Sequence, residues 1–133
     1  MTPILNVVGV VVADMARSLD FYRRLGLDVP LSENDSPHVE HLLPGGMKIT
    51  WDTEATIRSF DPEWTAPKEA GRIAFAFECE SPDEVDRLHD ELVKAGYDSH
   101  KAPWDAFWGQ RYCCVRDPDG NGVDLYAVSA APR

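Results

Sequence analysis

The apolar positions of this chain fall into two blocks with the same grammar, and each block opens on a strand pattern followed by a helix pattern. ILNVVGVVV (residues 4–12) is nearly continuous in apolar and β-branched side chains, which predicts a strand covered on both faces. Asp14 then offers an N-cap to MARSLDFYRRLG, where Met15, Leu19, Phe21, Tyr22 and Leu25 gather on one helical face and Gly26 fits the stop. In the second block GRIAFAFECE alternates Ile73, Phe75 and Phe77 with small or charged residues, as a half-buried strand does. SPDEVDRLHDELVKAG follows, with Ser81 as N-cap, Pro82 at the first helical position, Glu84 closing a capping box and Gly96 as the stop.

Each helix pattern leads into strands joined by tight turns. HVEHLLPGGMKITWD reads as a hairpin turning at Pro44, Gly45 and Gly46, and RYCCVRDPDGNGVDLYA as one turning between Asp117 and Asn121. Each half therefore reads βαβββ. The expected fold class is α+β, with paired βαβββ modules forming curled mixed sheets around a cavity. The halves span about 4–52 and 71–128 of one domain, 1–133. Residues 53–70 form a proline-bearing linker with a helical turn, and its Phe60 and Trp64 are placed to act as a lid.

At 133 residues the chain is of single-domain size. Its longest apolar run, Val7 to Ala13, is far too short to span a bilayer, and Met1 is followed by no basic patch or cleavage site. The expectation is a cytoplasmic protein with no membrane partner. A formal charge of −10 repels nucleic-acid phosphates and suits a neutral or cationic partner, or serves solubility alone. Cys79, Cys113 and Cys114 are odd in number and lack C-x-x-C spacing, so they read as reduced strand or core residues.

WDAFWGQRY (104–112) sets four aromatic rings and an arginine in nine positions without a helical or strand period. Trp108, before Gly109, is the first choice for a platform on which a flat ring stacks. Trp104, Phe107 and Tyr112 either join it or plug a sheet edge or dimer seam. Arg111 either donates to a ligand carbonyl or neutralises an acid such as Asp105. His38 lies in a segment too polar for core, where it either stacks and donates or is a plain loop histidine. Trp51 has the parity of Ile49 and reads as core, which turns Asp52 toward the cavity as an acceptor for a ligand amine.

The two βαβββ halves, LDFYRRLGL in the first helix and RDPDGNGVDL in the last hairpin together resemble the vicinal oxygen chelate superfamily. That group includes glyoxalase I, extradiol dioxygenases, fosfomycin-resistance enzymes and bleomycin-resistance-type binders. The resemblance runs from about Val7 to Ala127. It implies four metal-ligand positions, which fall here on Val7, Thr50, Arg72 and Asp124, a set that cannot make a divalent site. No metal and no cofactor are expected, and Arg72 is free to pair with Asp124 instead.

SPHVE (36–40), WDTEATIRSFDPEW (51–64) and PWDAFWGQRY (103–112) with the following VRDPDGNGVDLYA are similar to the antibiotic-binding branch, and within it to the mitomycin-binding resistance proteins. This implies a non-catalytic protein that sequesters a mitomycin-, bleomycin- or enediyne-like compound and confers self-resistance, with no turnover. It also implies a homodimer with ligand sites at the subunit interface. The implied ligand-binding residues are His38, Asp52, Trp108, Arg111, Tyr112, Trp104, Phe60, Trp64 and Asp124, with none catalytic. The alternative is a metal-independent isomerase or cyclase using Asp124, Asp52 or His38 as general base. No Ser, Cys or Thr stands in a nucleophile elbow.

Overall fold

A computed structural model describes residues 2–69 and 72–129, so the expected start of the second half at Gly71 and the last four residues of the domain lie outside the described residues. The chain divides into two compact units at Pro67 and Lys68, inside the stretch read as a linker.

The first unit runs Val7–Val12 (β1), Met15–Arg24 (α1), a 3-10 turn over Leu31–Asp35, His38–Leu42 (β2), Lys48–Thr53 (β3) and Glu54–Phe60 (α2). Its strands are ordered β1-β3-β2, with β1 parallel to β3 and β2 antiparallel. Asp14 caps α1 by accepting from the Arg17 N–H at 3.1 Å, which satisfies one of the donors a helix start leaves over. The helix buries Met15, Leu19, Phe21 and Tyr22. Trp51 of β3, fully buried, meets Tyr22 edge-on with ring centroids 5.6 Å apart. The β2–β3 hairpin turns through Gly45 and Gly46, both with φ near +95° to +99°, a region open to glycine without steric penalty.

Two expectations fail in this unit. β1 is an edge strand, buried at Val10 and Val12 but exposed at Val7 and Gly9, so it is not covered on both faces. The strand expected directly after α1 is also absent, so the unit is βαββ with α2 appended. The Arg23 guanidinium takes the carbonyls of Val29 and Pro30 at 2.6 and 2.8 Å, and Pro30 has no N–H to give a ladder. With its acceptors used locally, the segment winds into a 3-10 turn.

The second unit is a full βαβββ: Ala74–Glu78 (β4), Pro82–Lys94 (α3), Asp98–Ala106 (β5), Gln110–Arg116 (β6) and Gly122–Val128 (β7). The strand order is β4-β7-β6-β5, with β4 parallel to β7 and the other pairs antiparallel. Ser81 caps α3 through Glu84 N–H at 3.2 Å. The Glu84 carboxylate reaches back to the N–H of Glu80, one residue earlier than a standard capping box. Cys113, Val115, Val123 and Leu125 are buried, as are Val85 and Leu92 of α3, which packs on β5, β6 and β7. Ile73, counted in the strand by its alternation, falls just outside β4 and is 77% exposed. Asp117 builds the β6–β7 turn, its Oδ1 accepting from the N–H groups of Asp119 and Asn121, both at 2.9 Å.

WDAFWGQRY is the tip of the β5–β6 hairpin. Trp104 to Ala106 close β5, Phe107 to Gly109 make the turn with Gly109 at φ +91°, and Gln110 opens β6. The missing period is that of a strand–turn–strand junction, and just ahead of it β5 carries register shifts between Ser99 and Lys101 and between Lys101 and Trp104. Gly109 serves the turn.

Candidate functional site

Alternation along β6 and β7 sorts side chains to two faces. Cys113, Val115, Val123 and Leu125 go under α3, so Tyr112, Cys114, Asp124 and Tyr126 go to the other face. The register aligns Trp104, Tyr112 and Tyr126 across three strands, and in the next row Lys101, Cys114 and Asp124.

The rings of this face and of the hairpin tip form one cluster. Tyr112 lies 5.5 Å from Trp104 and 5.4 Å from Trp108, both edge-on, and stacks on Tyr126 at 6.3 Å. Trp108 also meets Trp104 at 6.0 Å and Phe107 at 5.0 Å, in T-shaped arrangements that suit ring quadrupoles. Trp108 is 48% exposed, and its Nε1–H donates to Gln110 Oε1 at 2.8 Å, which holds the indole by one edge. Phe107 is 88% exposed. The cluster is thus neither core nor loose surface.

Asp124 borders the rings. The Tyr112 hydroxyl donates to its Oδ2 at 2.6 Å, and burial together with that carboxylate drives the phenol well above its usual range, so it stays neutral and donating. The Cys114 thiol, opposite Asp124 in the register, is pushed up to about 11 by burial and then by the carboxylate, so it is held protonated. Arg72 is exposed, and it is the Tyr112 hydroxyl that holds Asp124.

Arg111, one residue along from Tyr112, has the opposite parity. Its guanidinium forks onto Asp86 of α3 at 3.0 and 3.2 Å and reaches Asp105 at 3.4 Å, so it ties the sheet to the helix on the face away from the rings.

In the first unit a second polar cluster occupies the sheet face opposite Trp51. His38 pairs with Asp52 across β2 and β3, and Glu40 with Thr50. Nδ1–H of His38 donates to Asp52 Oδ1 at 2.6 Å, and Nε2–H donates to Glu40 Oε2 at 2.8 Å. Lys48 completes the row at 3.1 Å from Glu40. Glu40 first, then Asp52, raise the His38 pKa, and His38 in turn lowers that of Glu40. The two carboxylates thus favour the imidazolium form of His38, in which both ring N–H groups are engaged. Its ring face, not its edge, is what it can offer a ligand. Phe60, at the end of α2, is 72% exposed. Trp64 is half-buried beneath Arg58, whose guanidinium carbon lies 5.3 Å from the ring centroid.

Of the residues singled out in the sequence, the second unit thus brings Trp104, Trp108, Tyr112 and Asp124 together, and the first unit joins His38 to Asp52. Sequence reasoning missed Cys114, Tyr126 and Lys101 in the ring site, and Glu40 and Lys48 beside His38. Parity in YCC and DLY points to Cys114 and Tyr126. Lys101 carries no such signal, because the shifts in β5 break the alternation.

A profile of the glyoxalase/bleomycin resistance protein/dioxygenase superfamily matches residues 4–125. The chain belongs to this superfamily. YraH of Bacillus subtilis (strain 168) is 27% identical over 128 residues, covering 91% of this chain and 95% of that protein. Among solved structures, a glyoxalase/bleomycin resistance protein/dioxygenase family enzyme from Burkholderia phytofirmans PsJN aligns with a TM-score of 0.77 at 18% identity, over 93% of this chain and 98% of the other. A glyoxalase-related enzyme from Fulvimarina pelagi gives 0.77 at 19% identity, over 95% and 88%. At these identities the structures speak for the fold alone.

The divalent site of the superfamily's metal-dependent members does not fit the residues present. Val7 offers hydrocarbon, Thr50 a buried neutral hydroxyl, Arg72 a cation, and Asp124 a carboxylate already bonded to a phenol. Among the described residues no three His, Cys, Asp or Glu side chains are grouped to hold a metal.

Proposed function

We propose that this protein binds and sequesters a flat, ring-containing natural product of the antibiotic type, with mitomycin-, bleomycin- and enediyne-like compounds as the chemical range, and releases it unchanged. The reading is carried by the half-exposed Trp108 in its cluster of rings. A ligand ring laid there gains apolar burial plus roughly 0.5–1.5 kcal/mol per aromatic pair. The surrounding chemistry supports holding rather than turnover. The carboxylates on both nitrogens of His38 favour its protonated form, which has no lone pair for general-base work, and Asp124 already accepts from the Tyr112 hydroxyl. The same reading includes a cytoplasmic homodimer with its ligand sites at the subunit interface, since each sheet taken by itself ends in open edge strands.

The test is to incubate the protein with a panel of planar quinone and polyaromatic antibiotics, measure saturable binding by calorimetry, and recover the bound compound for mass analysis. Stoichiometric binding with quantitative recovery of unchanged compound is expected. A converted product accumulating beyond one equivalent contradicts it and favours a metal-independent isomerase or cyclase.

A further inference from the structure

Among the cations of α3 and of the strands of its unit, Lys101 stands apart. Arg87, Lys94, Arg111 and Arg116 each sit on a carboxylate. Among the described residues Lys101 forms no ion pair, although the chain carries 23 acidic side chains against 13 basic ones. Its Nζ instead lies 4.0 Å from the centroid of the Trp104 ring.

The backbone is irregular at just this place. Ser99 faces α3, where its hydroxyl bonds His89 at 2.7 Å, and strict alternation would send Lys101 to the same side. The first register shift, two steps of β5 against one of β6, turns Lys101 to the opposite face. The second, three steps against two, keeps Trp104 on that face with it. A bulge costs ladder hydrogen bonds and re-aims a side chain, and here two of them bring a cation onto the ring face.

The other charges on that face are committed or stand at the far edge of the sheet. Asp124, in the same row, accepts from the Tyr112 hydroxyl. Arg116 is bonded to His100 at 2.9 Å and lies 3.9 Å from Asp98, and Glu78 pairs with Tyr126 at the β4 edge of the ring row, the opposite edge from Lys101 on β5.

We propose that Lys101 is the charge-selecting contact of the ring site, and that the site takes flat rings bearing an acidic group such as a carboxylate, an ionised phenol or a hydroxyquinone. This rests on the ring-binding reading given above. It runs against the formal charge of −10, which disfavours anion binding in general.

The experiment uses one ring with two substituents, 2-naphthoate and neutral 2-naphthamide, titrated calorimetrically into wild type, Lys101→Met, Lys101→Arg and Trp108→Ala. Wild type is expected to bind the naphthoate about three- to fivefold more tightly. Lys101→Met should equalise the two probes by weakening only the naphthoate, Lys101→Arg should keep the preference, and Trp108→Ala should weaken both. Equal affinities in wild type, or a preference that survives Lys101→Met, would overturn the role of Lys101 and leave the ring platform standing. If neither probe binds, or if Trp108→Ala changes neither, the ring reading itself has failed and the lysine's role falls with it.

Discussion

His38 and Trp108 hold opposite chemical positions although both are partly exposed. Trp108 keeps an open aromatic surface, whereas His38 has every polar atom of its ring committed to Asp52 or Glu40. Because those carboxylates raise its pKa above the ordinary imidazole value of 6.5, the folded state binds more protons than the unfolded one as pH rises past that value. The contribution of His38 to stability is therefore complete below about pH 6.5 and is lost as pH rises through its folded pKa. His89 runs the other way. Burial lowers its pKa, so its contribution is complete above 6.5 and fades as pH falls through the depressed value. Imidazole chemical shifts followed by NMR should give a midpoint above 6.5 for His38 and below 6.5 for His89. In urea denaturation, wild type should lose stability relative to His38→Gln as pH rises from 6 to 9. Parallel stability curves would contradict the carboxylate clamp.

At the scale of elements, α3 owes its start to a cap and its position to a stripe. Ser81→Ala removes the acceptor of Glu84 N–H and is expected to cost about 1 kcal/mol, read as a lower urea midpoint with unchanged slope. An unchanged midpoint would show that Glu84 bonding back to Glu80 holds the helix start without help. Caps of this kind were legible in the sequence because they depend on residues three or four apart. So were both glycine or Asp–Gly hairpins, and the parity that buries Trp51 and turns Asp52 to the opposite face of the sheet. What local pattern hides is how a segment spends its polar groups over distance. Nothing in LDVPLS announces that Arg23 will take the Val29 and Pro30 carbonyls and cancel a strand. Likewise WDAFWGQRY shows no period because a turn interrupts it, and only cross-strand pairing, with two shifts of register just ahead of it, reveals that Lys101 joins the rings while Arg111 leaves them for Asp86. The superfamily was legible from motifs that serve the fold; the ring site was legible as composition and not as geometry.

Among the described residues, two mixed sheets and three α-helices give the superfamily's fold on a strongly acidic chain, and no helix is long and apolar enough to cross a membrane. The proposed homodimer predicts a sedimentation-equilibrium mass of two chains, and binding that weakens on dilution below the dimer constant. A monomer that binds ligand as tightly at high dilution would contradict shared sites. The central claim, that rings on one sheet face hold a flat ligand, is tested most directly at Trp108. Truncating a stacked, partly buried ring should cost about 1–3 kcal/mol, roughly five- to a hundredfold in affinity. The measurement is calorimetric affinity for a planar antibiotic in wild type, Trp108→Ala and Trp108→Phe, each folded by circular dichroism. The account predicts a loss of that size in Trp108→Ala and substantial recovery in Trp108→Phe, whereas equal affinity in all three proteins would contradict it.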